Sequence, residues 1–520
     1  MKTTIKTMLF LGVAAGAGSA HAATSCGDLA KLALPHTEVT SATLVAPGAF
    51  TVPAGPGGGG NNAAANARVY ASLPAFCRVR ATSRPTAESE IKIEVWLPAA
   101  GWNGRLEAVG NGGFSSNISY TAMAQAVLKG YAATGNNTGQ ETNNADFSIG
   151  HPGRIPDWGS RAVHESVVNG KALATASYGT KPAYSYWNSC STGGRQGLVA
   201  AEYYPEDFDG LAVGDPANPM TRLQANSIYI NLALNKDEAS FISQEKWAGI
   251  SKVVMDACDA KDGLKDGLIN NPMACGFKVE SLQCKGVDTA SCLTAPQIVA
   301  YRKILAGSVN PRTGEHLYPG YPFGTAMLPG PVAGKAPDSS APATFKMLFQ
   351  DKDWDYHTFD FDKDTARAAK LGNDTIDAVD EKKLARLFAR GGKLFMYHGW
   401  VDPAISPLIS VDYYNKAVAA NGGKAKADKS IRLFLVPGMA HCGGGYGPNT
   451  FDKMDVIADW VEHGKAPDRI IASRVENDKV VRSRPLCPYP QVARYSGKGS
   501  VDEAANFACV AAAATAKRKS

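Results

Sequence analysis

An α/β architecture is what this sequence predicts: a mostly parallel sheet covered by helices, interrupted by one large inserted segment. Three observations carry that expectation. Short apolar strands alternate with helix-length segments at both ends of the chain. The alternation breaks down between Ala217 and about Val379, in a stretch rich in Pro, Gly and Cys. One buried strand runs through a turn of small residues straight into a helix, with a Ser at the turn.

Taken in order, residues 91–97 mix apolar and polar positions as a half-exposed strand does. Residues 105–109 form a second short strand that ends in Gly110-Asn111-Gly112-Gly113. A helical stretch over 120–128 precedes a strand at 130–134, and 161–174 has helical spacing before a buried strand at 183–187. Residues 197–204 are helical, and 210–215 return to strand. Further on, 393–399 and 432–436 read as strands separated by a helix over 407–419. Such alternation implies a parallel sheet buried on both faces. The sheet domain is therefore expected over 23–217 and 380–520, with 218–379 as an inserted domain. No internal repeat of fixed period argues for a solenoid or propeller.

Composition excludes several classes. Of 520 residues, 44% are hydrophobic and 20% charged, enough apolar side chain for a large core and too much for a disordered chain. The net charge of +6 is not clustered except at Lys517, Arg518 and Lys519, so a nucleic-acid-binding face is not expected. Lys2 and Lys6 precede an apolar run from Met8 to Ala15, and Ala20-His21-Ala22 then offers a small-residue cleavage site. This is the pattern of a secretory signal peptide over 1–22, too short to span a bilayer, and it implies a periplasmic or secreted protein. No later stretch is apolar and long enough for a membrane span.

An even number of cysteines, ten, in an exported chain reads as five disulfides. Cys258 with Cys275, Cys284 with Cys292, and Cys487 with Cys509 would each close a short loop. Cys26, Cys77, Cys190 and Cys442 remain.

Chemistry is expected at Asn188-Ser189-Cys190-Ser191-Thr192-Gly193-Gly194-Arg195. A strand entering a Ser among small residues, followed by a helix, is the setting of a nucleophile elbow, although Ser189 replaces the first Gly of G-x-S-x-G. A plain Ser-Gly loop has the same appearance. A Ser nucleophile needs a His base and an acid that fixes the His tautomer, in the chain order Ser, acid, His. Asp402 follows the 393–399 strand and His441 follows the 432–436 strand. His398 precedes the acid on the same strand end and reads as structural. Cys190 precedes Ser191 and Cys442 follows His441, so hydrogen-bonded Ser and His would bring these cysteines within disulfide reach. Cys26 with Cys77 then completes the set. Two backbone N–H groups should form an oxyanion hole: that of Thr192, and one in the Gly-rich turn, with Gly113 chosen over Gly112.

On Cys190-Ser191-Thr192-Gly193-Gly194-Arg195, Gly399-Trp400-Val401-Asp402 and Gly438-Met439-Ala440-His441-Cys442, the sequence resembles the tannase and feruloyl esterase family of α/β-hydrolases. That family also contains a hydrolase of mono(2-hydroxyethyl) terephthalate. The resemblance implies Ser191 as nucleophile, Asp402 as acid, His441 as base, a disulfide beside them, and a lid domain in the inserted segment. Read bare, the carboxylates of Asp259, Asp262 and Asp266 among Gly residues suit either a solvated turn or a hard cation. The resemblance implies calcium, bound by those three side chains and by the carbonyls of Leu264 and Leu268, with a structural role. It also implies an esterase that needs no catalytic cofactor. The substrate would be a small aromatic ester, a gallate or ferulate ester, or alternatively a terephthalate monoester. A non-catalytic calcium-dependent binding protein and a peptidase are the readings from other classes. Ala404 and Ile405 after the acid, and Phe345, Phe349 and Trp354 in the lid, are the candidate substrate contacts.

Overall fold

The computed structural model describes residues 23–53, 63–114, 116–324, 334–373 and 375–512. The expected leader, 1–22, and the basic tail residues lie outside these. The core is a nine-stranded sheet in the order β1-β2-β3-β5-β4-β6-β7-β8-β9. Its strands are β1 (Thr37–Val45), β2 (Phe76–Ser83), β3 (Ile91–Pro98), β4 (Arg105–Val109), β5 (Ala132–Asn136), β6 (Tyr184–Cys190), β7 (Gly210–Gly214), β8 (Lys393–Gly399) and β9 (Ile431–Val436). From β5 through β9 all neighbours are parallel, whereas β1, β2 and β3 add an antiparallel edge. The mostly parallel α/β sheet is the expected fold class.

Alternation along each strand builds two cores. Trp187, Leu211, Val213, Leu394, Met396 and Leu433 point to one face, packed by the helices Ala162–Tyr178, Thr192–Tyr203 and Pro407–Ala420. Tyr186, Ala212, Phe395, Tyr397 and Phe434 point to the other, under the helices Tyr120–Leu128 and Lys453–His463. The parallel register puts Cys190 beside Gly214 and Gly399 beside Val436, so the carboxyl ends of β6 to β9 lie along one edge. In open parallel sheets that edge is where ligands bind.

Between β7 and β8 the described chain adds no strand to this sheet; it packs helices around two further apolar clusters. The two connectors of this insertion are clasped together. Asn218 and Ala378 exchange two hydrogen bonds, at 2.7 and 2.8 Å, and Asp377 accepts the Met220 N–H at 2.6 Å and the Thr221 hydroxyl at 2.5 Å. Arg195, fully buried over the Trp158 ring, donates to the carbonyls of Gly159 and Ile376. Two small antiparallel sheets close the C-terminal region, β10 (Ile470–Glu476) with β11 (Lys479–Leu486), and β12 (Gln491–Tyr495) with β13 (Phe507–Ala511). No helix among the described residues is long and apolar enough to cross a membrane.

Candidate active site

The helix after β6 begins at Thr192, five residues earlier than its apolar pattern suggests, because Gly193 and Gly194 lie in its first turn. Close approach explains them. A Cβ on Gly193 would stand 1.9 Å from Ser189 Oγ, and one on Gly110 would stand 2.7 Å from the same atom. Ser189 can thus replace the usual Gly because the residues facing it carry no side chain. Ser191 itself has φ +65° and ψ −126°, a strained conformation for a residue with a side chain, and it projects from the turn.

Three side chains from three strand ends meet there. His441 Nε2 lies 2.8 Å from Ser191 Oγ, and His441 Nδ1 lies 2.7 Å from Asp402 Oδ2. The other Asp402 oxygen accepts the N–H groups of Ala404 and Ile405 at 2.8 and 3.0 Å. Burial pushes the Asp402 carboxyl upward, but hydrogen bonds from His398 and His441 outweigh it and hold the group at about 2. Burial disfavours the charged His441 imidazole, yet its bond to Asp402 and the charges of Asp402 and Asp215 raise it to about 8.

All five expected disulfides are present: Cys26–Cys77, Cys190–Cys442, Cys258–Cys275, Cys284–Cys292 and Cys487–Cys509. Cys190 and Cys442, with Cα atoms 5.9 Å apart, link the residue before Ser191 to the residue after His441. The Gly-rich turn after β4 lies opposite. Thr192 Oγ1 donates to the Gly113 carbonyl at 2.7 Å, and Asn111 N–H donates to Gln196 Oε1 at 3.1 Å, fixing that turn to the helix. The N–H groups of Gly112, Gly113 and Thr192 have no acceptor among the described residues.

These groups open into a cavity of about 560 Å³ between the sheet edge and the insertion. Ala404 and Ile405 line it, joined by Met220, Leu223 and Gln224 of the insertion's first helix and by Asp338. Phe345 and Phe349 do not, which corrects the expectation from sequence. The helix Ser340–Phe349 turns both rings inward, where they pack with Trp354 and Phe359 as core of the insertion. Sequence reasoning missed Met220, Leu223 and Gln224, whose only signal is their place one turn after the insertion begins. Nor does the sequence signal Asp215, whose buried carboxylate accepts the N–H groups of Gly399 and Cys442 beneath the site.

The acidic turn after the helix Gln244–Cys258 lies apart from this cavity. Asp262 and Asp266 are each raised, first by burial and further by a neighbouring carboxylate, Asp259 on Asp262 and Asp262 on Asp266. Asp259 accepts the N–H groups of Asp266 and Gly267, and Arg484 pairs with Asp266. The carbonyls of Leu264 and Leu268 accept no hydrogen bond among the described residues, and Asn270 Oδ1 is buried without a partner. Each oxygen of the three carboxylates already meets an N–H group or Arg484, and among the described residues they do not converge within ligand distance of one another, so calcium would require this turn to regroup around the unbonded carbonyls of Leu264 and Leu268.

A Ser on a strained strand-to-helix turn, with an Asp and a His delivered by later strands of the same parallel sheet, defines an α/β-hydrolase. Within that class the assignment is specific: residues 77–510 match the model described as tannase and feruloyl esterase, and the chain belongs to that family. It is 37% identical to an uncharacterized esterase of Xanthomonas campestris pv. campestris, over 98% of this chain and 95% of the relative. It is 31% identical to the mono(2-hydroxyethyl) terephthalate hydrolase of Piscinibacter sakaiensis, over 85% and 86% of the two chains. The crystal structure of feruloyl esterase B from Aspergillus oryzae is similar, with a TM-score of 0.86 and 29% identity, covering 93% of this chain and 99% of that one. The protein is a carboxylic ester hydrolase, which sets aside the reading as a non-catalytic binding protein.

Proposed function

We propose that the protein hydrolyses esters of aromatic hydroxy acids, of the gallate or ferulate type, through an acyl-enzyme on Ser191. The observation that carries the mechanism is the continuous hydrogen-bonded row Ser191–His441–Asp402 at the cavity wall. His441 Nε2 takes the Ser191 proton as Oγ attacks the ester carbonyl carbon. The oxyanion receives hydrogen bonds from the N–H groups of Thr192 and Gly113. The C–O bond to the alcohol breaks and His441 returns the proton to the departing oxygen. Water then gives a proton to His441 and attacks the acyl carbon, and collapse releases the acid and restores the Ser191 hydroxyl. Asp402 stays ionised throughout, holding Nδ1–H toward itself and stabilising the imidazolium.

The cavity wall favours a phenolic acyl group over a terephthalate monoester. Among the described residues it contains no Lys or Arg to meet a second carboxylate, and Asp338 would repel one. Gln224 and Asp338 are polar groups suited to hydroxyls. Calcium held by Asp259, Asp262 and Asp266 with the carbonyls of Leu264 and Leu268 would act as a structural tie in the lid, without touching the ester. Ten paired cysteines support an exported protein, periplasmic or extracellular. Turnover of a chromogenic aryl ester by wild type and by Ser191→Ala tests the mechanism; equal rates would sink it. Parallel assays with methyl gallate, methyl ferulate and a terephthalate monoester test the acyl group, and preference for the terephthalate ester would overturn that part.

A further inference from the structure

Beneath the three reacting side chains lies a second acid that this mechanism does not use. Asp215, the first residue after β7, is fully buried and has φ +35°, a left-handed conformation that a residue with a side chain holds only under constraint. Both its carboxylate oxygens accept backbone N–H groups. Oδ1 takes that of Gly399 at 2.7 Å, and Oδ2 takes that of Cys442 at 3.1 Å. Gly399 ends the strand that leads to Asp402, and Cys442 follows His441. The adjoining backbone reaches the nucleophile as well: Ser191 N–H donates to the Gly214 carbonyl at 3.0 Å, and Ala217 N–H donates to the Ser191 carbonyl at 3.1 Å. One four-residue segment therefore touches every element that carries a reacting side chain.

The electrical surroundings are equally specific. His398 Nε2 lies 3.5 Å from Asp215 Oδ1 and 3.3 Å from Asp402 Oδ2, so one buried imidazole stands between two buried acids. Its Nδ1 bonds the Ser410 hydroxyl, and Nε2 also approaches the Ile405 carbonyl. Tyr397 and Lys453 face Asp215 from the opposite side of the sheet, and Asp338 acts on His441 from the lid. Burial and the neighbouring Asp402 charge leave Asp215 raised on balance, against the opposing pull of His398, His441 and the Gly399 N–H.

We propose that Asp215 is a positioning residue of the hydrolase, fixing the His441 loop against the Asp402 strand and placing a second buried negative charge beside the base. The proposal rests on the reading of Ser191, His441 and Asp402 given above. Asp215→Asn keeps the volume but removes the charge, and it turns an amide N–H₂ toward a backbone N–H. We expect kcat on a chromogenic aryl ester to fall about 10- to 100-fold with KM within about twofold of wild type. The acid limb of kcat/KM should move to lower pH by roughly half a unit or more, because the imidazolium loses an attracting charge. A purely structural role would not move that limb. An unmoved limb, or kcat within about twofold of wild type, overturns the proposal. Should Asp215→Asn fail to fold, Asp215→Glu carries the test, because it keeps the charge but displaces it by one methylene: kcat should fall by about fivefold or more while the acid limb stays within roughly 0.3 pH units of wild type. A limb that moves down by about half a unit, or an unchanged kcat, overturns the proposal. Turnover retained by Ser191→Ala would instead overturn the triad reading, so the two failures are distinguishable.

Discussion

Replacing Asp402 by Asn is expected to cost about 10⁴ in kcat while leaving the fold intact, through a change in which His441 nitrogen carries the proton. In the wild type, Oδ1 is committed to two donors, the N–H groups of Ala404 and Ile405, and Oδ2 accepts from His441 Nδ1. The amide of an Asn at this site must keep its oxygen on the two backbone donors, since the reverse orientation would bury two N–H groups against an N–H₂. Its Nδ2 then faces His441 Nδ1, which becomes an acceptor, and the proton moves to Nε2. A protonated Nε2 faces Ser191 Oγ at 2.8 Å and cannot receive the hydroxyl proton. The loss of 10⁴ corresponds to about 5.5 kcal/mol of transition-state stabilisation. Steady-state kinetics on an aryl ester, with thermal melting as a control, would measure it. KM should change by no more than about twofold, because Asp402 is buried away from the cavity. A fall of less than tenfold in a folded variant would refute the tautomer argument and with it the role given to Asp402.

The acid limb of kcat/KM in the wild type should fall near pH 8, since His441 accepts a proton only when neutral and its partners raise it to about 8; a limb near 6.5 would contradict this. The sign for stability is opposite: a His raised from 6.5 to about 8 stabilises the fold fully below 6.5, and the contribution is lost as pH rises through 8, so thermal melts at pH 6 and 9 should differ in that direction. Replacing Cys190 and Cys442 together by Ala should lower kcat at least tenfold, more than its effect on melting temperature suggests, because the bridge holds the nucleophile and base loops in register; unchanged kcat at a lowered melting temperature would show a purely global tie. With calcium in the proposed turn, a chelator should lower the melting temperature by several degrees while leaving kcat at saturating substrate nearly unchanged, and Asp262→Ala should reproduce part of the shift; an unchanged melting temperature would remove the metal, and loss of turnover without a change in melting would make it catalytic.

The strands that present the chemistry were legible because they are buried on both faces and so read as short apolar runs between helices. β1 was not: its residues Thr37–Val45 alternate between half-buried and exposed, and an edge strand of that kind has no apolar signature. The start of the helix at Thr192 was hidden by Gly193 and Gly194, which weaken helix propensity and are there for close approach. Ser191, Asp402 and His441 could be found because cysteines flank two of them and strands precede all three. Asp215 gave no such signal, since an Asp between Gly214 and Pro216 reads as an ordinary turn. Phe345 and Phe349 were placed wrongly because aromatic content does not say which way a helix faces. The pairing of Asp266 with Arg484, far along the chain, could come only from tertiary structure.

The clasp of Arg195, Asn218 and Asp377 bears on how this insertion can be exchanged. Arg195 is four residues beyond the nucleophile, and its guanidinium, pushed down to about 10 by burial, ends on the carbonyl of Ile376 at the returning connector. A chimera that imports a relative's insertion between 222 and 375 would keep both sides of this clasp and should inherit the host's elbow geometry with the donor's cavity wall. A graft cut on the outer side, at 216 and 380, would replace Asn218 and Asp377, and with them the side-chain half of the clasp. The seam for recombining specificity with chemistry therefore lies inside the insertion, a few residues from each of its ends, and not at the strand boundaries of β7 and β8.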